Sequence, residues 1–217
     1  ASMDLNNLPL IEHVAKKNLP IILSTGMSKL HEIDEAIETV KNSGNKNLSI
    51  LHCNSAYPSS HDEINLNFMK KLKKLYEIPV GYSDHSSSLL SSIVAMSNGA
   101  NIIERHFTLN KNMEGPDHIL SSDPVEMKKL VFYAREIPKI LGDGIKKIQP
   151  NEYETLNSQR KSIFASKNIK KGGILRKNNT IIKGPAGGIS PKYLELVLGK
   201  KINKSIKEDY PIKWEDI

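Results

Sequence analysis

Up to about position 142 the apolar residues follow two periods. Four short aliphatic or β-branched runs, Pro20 to Thr25, Leu48 to Cys53, Ile78 to His85 and Asn101 to Phe107, each end in polar side chains. Runs of this kind predict buried parallel strands. Between them the period changes to that of a helix: Lys29 to Asn42 carries Leu30, Ile33, Ile37 and Val40 on one face, and Leu66 to Leu75 and Ser87 to Ser97 follow the same rule. Leu8 to Lys17 predicts a helix before the first strand. Pro124 to Leu141 predicts a long one after the last, with Met127, Leu130, Val131 and Ala134 inward. Strand, helix, strand, helix is the order of an α/β sheet.

Beyond Gly142 the pattern breaks up. Asn151 to Arg160 reads as a polar connector. Ser162 to Ser166 then opens a stretch of short strands and turns, punctuated by Gly172-Gly173, Lys177-Asn178-Asn179 and Gly184-Pro185-Ala186-Gly187-Gly188, with one short helix expected over Pro191 to Leu198. The predicted organisation is an α/β domain over 1–145, a linker over 146–160 and a small β-rich domain over 161–217.

Composition narrows the function classes. With 217 residues, 38% hydrophobic and 25% charged, the chain can bury a core without disulfides, and its single cysteine, Cys53, has no partner for one. The longest apolar runs fall far short of the ~20 residues of a membrane span. A cytoplasmic protein that uses no membrane is the expectation. The net charge of +7 comes mainly from lysines that look scattered along the chain, without the arginine and aromatic interleaving of a nucleic-acid surface, so no nucleic-acid partner is expected.

Chemistry in parallel α/β folds gathers at the carboxyl ends of the strands, where loops converge. Here those ends supply Ser24-Thr25-Gly26, then His52-Cys53-Asn54-Ser55 with Tyr57, then Ser83-Asp84-His85, then Glu104-Arg105-His106. Small hydroxyls followed by a helix suit a phosphate or carboxylate, and equally a simple turn and cap. His85 and His106, at the ends of adjacent strands, are able to share a divalent metal, although a lone strand histidine is more often packed than ligating. His52 and Cys53 are both expected to face between strand and helix, and Asp117 after Gly115-Pro116 fits a turn as well as a site.

Taken in order, Ile22 to Met27, Leu51-His52-Cys53 with Tyr57-Pro58, Gly81 to His85, Glu104 to Thr108 and Gly115 to His118 resemble the sialic acid (N-acetylneuraminate) synthase family. The tail, from Lys161 through Gly172 and Pro185 to Pro191, is similar to that family's antifreeze-like (SAF) domain. The resemblance implies a partial (β/α)8 TIM barrel, its last four βα units, followed by a small β-rich SAF domain; Ala1 to Asp4 matches the end of the family's fourth strand. It implies condensation of phosphoenolpyruvate with an N-acylated mannosamine-type hexosamine to give a nine-carbon 2-keto acid and phosphate, assisted by Mn2+ or Mg2+. Legionaminic or pseudaminic acid synthesis from a diacetamido-trideoxy sugar is the neighbouring alternative, and a non-catalytic fragment that binds sugar or a partner half-barrel is a third.

By the same resemblance His85 and His106 are the metal ligands. Ser2, Ser24 and Ser83 hold phosphoenolpyruvate, Tyr57 and Asp117 line the reacting centre, and Asp4 contacts the sugar. Two departures stand out. Ser55 occupies a place where some members have asparagine, on the phosphate side. Gly184-Pro185, with Lys183 beside it, stands where many members have Arg-Pro reaching to the sugar of a neighbouring subunit, and a lysine cannot reproduce the guanidinium fork. A domain-swapped homodimer is the implied assembly.

Overall fold

The computed structural model describes residues 1–217, which divide into two compact units, Ala1–Gly144 and Ile145–Ile217. In the first, strands β1 (Ile21–Ser24), β2 (Leu48–Cys53), β3 (Val80–Asp84) and β4 (Ile103–Arg105) form one sheet in sequential order, every pair parallel. Around them lie α1 (Leu8–Ala15), α2 (Leu30–Asn42), the single turn α3 (His61–Ile64), α4 (Asn67–Tyr76), α5 (Leu90–Ser97) and α6 (Pro124–Leu141). This is a curled, parallel half-barrel. The expected strands and helices are all present, with ends shifted by a few residues at most.

Period two divides each strand into two sides. Leu48, Ile50, Val80 and Tyr82 turn to the helices and join Ile33, Ala36, Ile37 and Val40 of α2, Met69 and Leu72 of α4 and Ala95 of α5 in one buried cluster. The other side carries Leu51, Gly81, Ser83 and Ile102. Gly81 has no room for a side chain: a Cβ there would lie 2.4 Å from the Ile102 carbonyl oxygen and 2.6 Å from Leu51 Cδ2. Glycine at this position lets β2, β3 and the start of β4 close up on the concave side of the sheet.

Helix α6 departs from expectation. Its start is fixed by a capping box between Asp123 and Glu126. Leu130 and Ile137 are buried, whereas Val131 and Ala134 are exposed and, with Met127, border an apolar groove of about 330 Å³ against Met96, Ile102 and Ile103. Within the first unit β4 is the edge strand of the sheet beside that flank of α6.

The second unit pairs β5 (Ser162–Ala165) with β6 (Thr180–Lys183) in antiparallel register and adds isolated bridges, Phe164 to Pro211, Ile169 to Ile206 and Ile174 to Lys201. Ile163, Leu175, Ile189, Val197, Ile202 and Ile212 fill its core. The stretch read as a polar connector folds instead into helix α7 (Tyr153–Gln159), entered through a Gln149–Glu152 box and tied down by a hydrogen bond from the Ala186 amide to the Asn157 carbonyl. A further short helix, α8 (Leu194–Val197), falls where one was expected. No helix is long and apolar enough to cross a membrane. The lysines are less evenly spread than they look in sequence: the second unit holds 16 Lys and Arg against 7 Asp and Glu, the first 15 against 17.

His52 illustrates how the outer face is built. Its Nε2–H donates to the Ile64 carbonyl at 2.6 Å, and its ring packs between Phe68 and Tyr82. Burial holds its pKa below the ordinary 6.5, against the opposing pull of the Ile64 carbonyl. The unfolded chain therefore takes up this proton first, and the contribution of His52 to stability is complete above about pH 6.5 and declines as the pH falls from there toward the folded-state value. Urea unfolding between pH 7.5 and 5 is expected to show this decline in the parent and a flatter profile in His52→Gln, which keeps a donor for Ile64. Ile50→Ala, at a fully buried position of β2, is expected to cost about 2–5 kcal/mol in the same assay.

Candidate active site at the strand ends

At the end of β1 the chain turns through Ser24-Thr25-Gly26. The Ser2 hydroxyl donates to Ser24 Oγ at 2.9 Å and accepts from the Gly26 amide at 3.0 Å. Across from them the end of β2 delivers Cys53 and Ser55. Gly26 is the hub of this group: a Cβ there would fall 2.1 Å from Ser55 Oγ, 2.8 Å from Ser2 Oγ and 3.1 Å from Cys53 Sγ. Thus three of the four expected serines, Ser2, Ser24 and Ser55, converge with one backbone N–H, a set of small donors suited to an oxyanion. Ser83, the register partner of Cys53, donates to Glu104 Oε1 at 2.6 Å across β3 and β4.

Beside the serines lie the two histidines. The rings of His85 and His106 are 5.1 Å apart between centroids and meet edge to face at 88°. Tyr57 packs at 4.2 Å from His85 and 5.7 Å from His106. Each imidazole is steered through one nitrogen: His85 Nδ1 lies 2.8 Å from the Asn54 carbonyl, and His106 Nδ1 lies 3.3 Å from Asp117 Oδ2. With the His85 Nδ1–H donating to Asn54, the lone pair of that ring in its neutral form resides on Nε2; His106 Nδ1 faces the Asp117 carboxylate, and no hydrogen bond engages the Nε2 of either ring. This carboxylate-or-carbonyl support is the usual outer shell of a histidine metal ligand. The donor set fits a divalent ion held by two imidazoles, with water or substrate oxygens completing it. No group of three or more His, Cys, Asp or Glu converges on one ion.

Cys53, expected to face the helices, is on the concave side instead. Alternation along β2 separates it from His52, and its Sγ lies 3.7 Å from both Ser55 Oγ and His85 Nδ1. Burial pushes its thiol up, but hydrogen bonds with His85, Ser24, Ser55 and Ser2 outweigh burial and bring it from 9.0 to about 7. For His85, burial pulls the pKa down while Cys53 and the Asn54 carbonyl hold it above its ordinary value. Burial, together with the charges of Cys53 and Asp117, raises Tyr57. Glu104 was likewise unassigned in sequence, although its i, i+2 relation to His106 puts both on one side of β4.

Of the two remaining expected residues, one belongs to each unit. The Asp4 carboxylate borders a small cavity with Leu10, Ile11 and Val14. In the second unit, Lys183 forms an ion pair with Asp209 and stands 5.3 Å over the Phe164 ring.

The description NeuB family fits residues 1–146, and SAF domain fits residues 160–217. An uncharacterized protein of Methanocaldococcus jannaschii is 48% identical over 217 residues, a match covering 100% of this chain and 64% of that protein. The N,N'-diacetyllegionaminic acid synthase of Campylobacter jejuni is 46% identical over 214 residues, covering 98% and 64% respectively. Among solved structures, N-acetylneuraminic acid synthetase of Leptospira borgpetersenii in complex with citrate gives a TM-score of 0.66 at 38% identity, over 71% of this chain and 54% of that one. The chain thus spans 64% of the length of both relatives.

Gly26→Ala tests the serine group. The added methyl must push Ser55 and Ser2 aside, so phosphate binding measured by calorimetry is expected to weaken by about tenfold or more, ~1.4 kcal/mol. Combining it with Ser55→Gly, which removes the closest obstacle, is expected to restore part of that loss.

Proposed function

This chain belongs to the NeuB family and carries a SAF domain, and from that premise we propose that it works in the phosphoenolpyruvate-dependent synthesis of a nonulosonic acid. The observation that carries this reading is the convergence, on one rim of the half-barrel, of a steered imidazole pair with a cradle of hydroxyls and an amide N–H. The reaction joins C3 of phosphoenolpyruvate to the open-chain aldehyde carbon of an N-acylated amino sugar. Water adds at C2, and the C2–O bond to phosphate breaks, leaving a 2-keto acid and inorganic phosphate.

In this reading Ser2, Ser24, Ser55 and the Gly26 amide hold the phosphate, each giving a short, uncrowded hydrogen bond. Ser83, anchored by Glu104, offers a further polar contact deeper in the sheet, and Asp4 contacts the sugar. Asp117 and the Asn54 carbonyl keep His106 and His85 presenting Nε2, while Tyr57 walls the site beside both rings. Mn2+ or Mg2+ held by the two imidazoles would polarise the aldehyde and stabilise the alkoxide that develops there. In a domain-swapped homodimer, Lys183 would serve the partner's site, braced by Asp209 and Phe164.

The acceptor is drawn from the N-acylated hexosamines. The 46% identity to a diacetyllegionaminic acid synthase favours a 2,4-diacetamido-trideoxy sugar over N-acetylmannosamine. Incubating the protein with phosphoenolpyruvate, Mn2+ and each sugar in turn, and reading phosphate release and product mass, tests both steps of the argument. A keto acid of the mass of sugar plus pyruvate is expected, faster with the diacetamido sugar; the absence of phosphate release with either would refute the reading. His85→Ala is expected to lower turnover by ~10²-fold or more, since even outer-shell partners of metal ligands act on that scale.

A further inference from the structure

Behind the histidines, on the helix side of the sheet, lies a charge that the reaction does not touch. Alternation sends Asp84 and Arg105 outward as it sends His85 and His106 inward, and the parallel register pairs Asp84 directly with Arg105. Their side chains form an ion pair and are 0% and 2% exposed. The guanidinium does more than neutralise the carboxylate. Its NH1 and NH2 donate to the carbonyls of Ser88 at 2.9 Å and Ser86 at 2.8 Å, gripping the loop that leaves β3 just after His85. Its Nε donates to Ser122 Oγ at 2.8 Å, and NH2 also reaches the Leu120 carbonyl at 3.4 Å, gripping the end of the loop that leaves β4.

That second loop carries Asp117. The Ser121 amide and hydroxyl both donate to the Asp117 carbonyl, at 3.1 and 2.7 Å, and the Ser122 amide donates to the His106 carbonyl at 2.8 Å. One planar group therefore fixes, from behind, the three segments that present His85, His106 and Asp117. We propose that Arg105 is the positioning residue of this site, setting the separation of the two imidazoles and the approach of Asp117 to His106 through its grip on both loops. The proposal rests on the reading of these three residues as the working group, and it concerns their geometry whether or not a metal is bound.

Arg105→Lys keeps the charge opposite Asp84 and removes the fork, since an ammonium cannot reach both loops along fixed directions. A crystal structure of the full chain carrying this change is the test, with circular dichroism and thermal melting to establish the fold and Mn2+ titration by electron paramagnetic resonance as a second measure. Expected are a retained sheet, a His85–His106 ring separation changed by about 1 Å or more, the scale on which misplacement disables a site, and loss of the Asp117–His106 contact. Mn2+ affinity is expected to fall by about tenfold or more. Unchanged ring separation and an unchanged Asp117 would overturn the proposal, whatever the Mn2+ result.

If the rings move while Mn2+ binding stays at the parental level, the positioning role stands and the metal reading fails. Ile50→Ala serves as a control for lost stability alone and is expected to leave the rings and Mn2+ affinity in place; an equal shift there would overturn the proposal. Should Arg105→Lys not fold, Ser122→Ala removes only the Nε contact. It is expected to free the Asp117 turn while His85 stays, and an undisturbed Asp117–His106 distance in that variant would count against the role of Arg105.

Discussion

A buried carboxylate and a buried guanidinium are costly to remove from water, and the Asp84–Arg105 pair is tolerable because nearly every polar atom around it is satisfied. The Asp84 oxygens accept from the Ser86 amide at 2.8 Å and from the Ser91 and Ser92 hydroxyls at 2.7 and 2.5 Å, in addition to Arg105. Burial pushes this carboxyl up, but the hydroxyls, the guanidinium and the amide more than offset it and hold it below its ordinary value. Ser91 and Ser92 lie in the first turn of α5, so the pair also draws a helix N-terminus onto the end of β3, where its dipole favours an anion. Losing one partner of such a pair typically costs about 3–5 kcal/mol. The ends of β3 and β4, and with them the concave rim, hang on this interaction.

Serine has two distinct uses here. Ser86, Ser91, Ser92 and Ser122 spend their hydroxyls on the Asp84–Arg105 network, where they are buried and structural. Ser2, Ser24 and Ser55 gather around Gly26 on the opposite side of the sheet. Size explains both: a hydroxymethyl group is small enough to sit several to a cavity and able to donate or accept as the neighbour requires. A larger polar residue would force the strand ends apart in either place.

The strands, the helices and the pairing of His85 with His106 were legible because they follow from periods of two and 3.6 and from the shared ends of adjacent parallel strands. Tyr57 and Asp117, reached through the family resemblance, lie against those histidines as well. Cys53 departs from the side expected of it because His52, its neighbour on the strand, takes the helix side, and successive strand residues face opposite ways. Arg105 looked like one more polar residue at a strand end; only the register and the carbonyls of residues 86, 88 and 120 reveal it as a clamp. The crowding at Gly26 depends on three segments distant in sequence, which no local pattern encodes. Val131 and Ala134 fit the apolar stripe of α6, yet a stripe does not say whether anything lies opposite it.

The division of charge between the units gives the whole-chain isoelectric point of about 9.3 a particular meaning. It is an average over two chemically unlike modules, one with a formal charge of −2 at neutral pH and one with +9. Cut between Gly144 and Ile145, the pieces would migrate toward opposite electrodes at pH 7, and on a cation exchanger the intact chain would be retained by its second unit alone. Added salt, which weakens such retention, would act chiefly on that basic module and leave the half-barrel nearly indifferent.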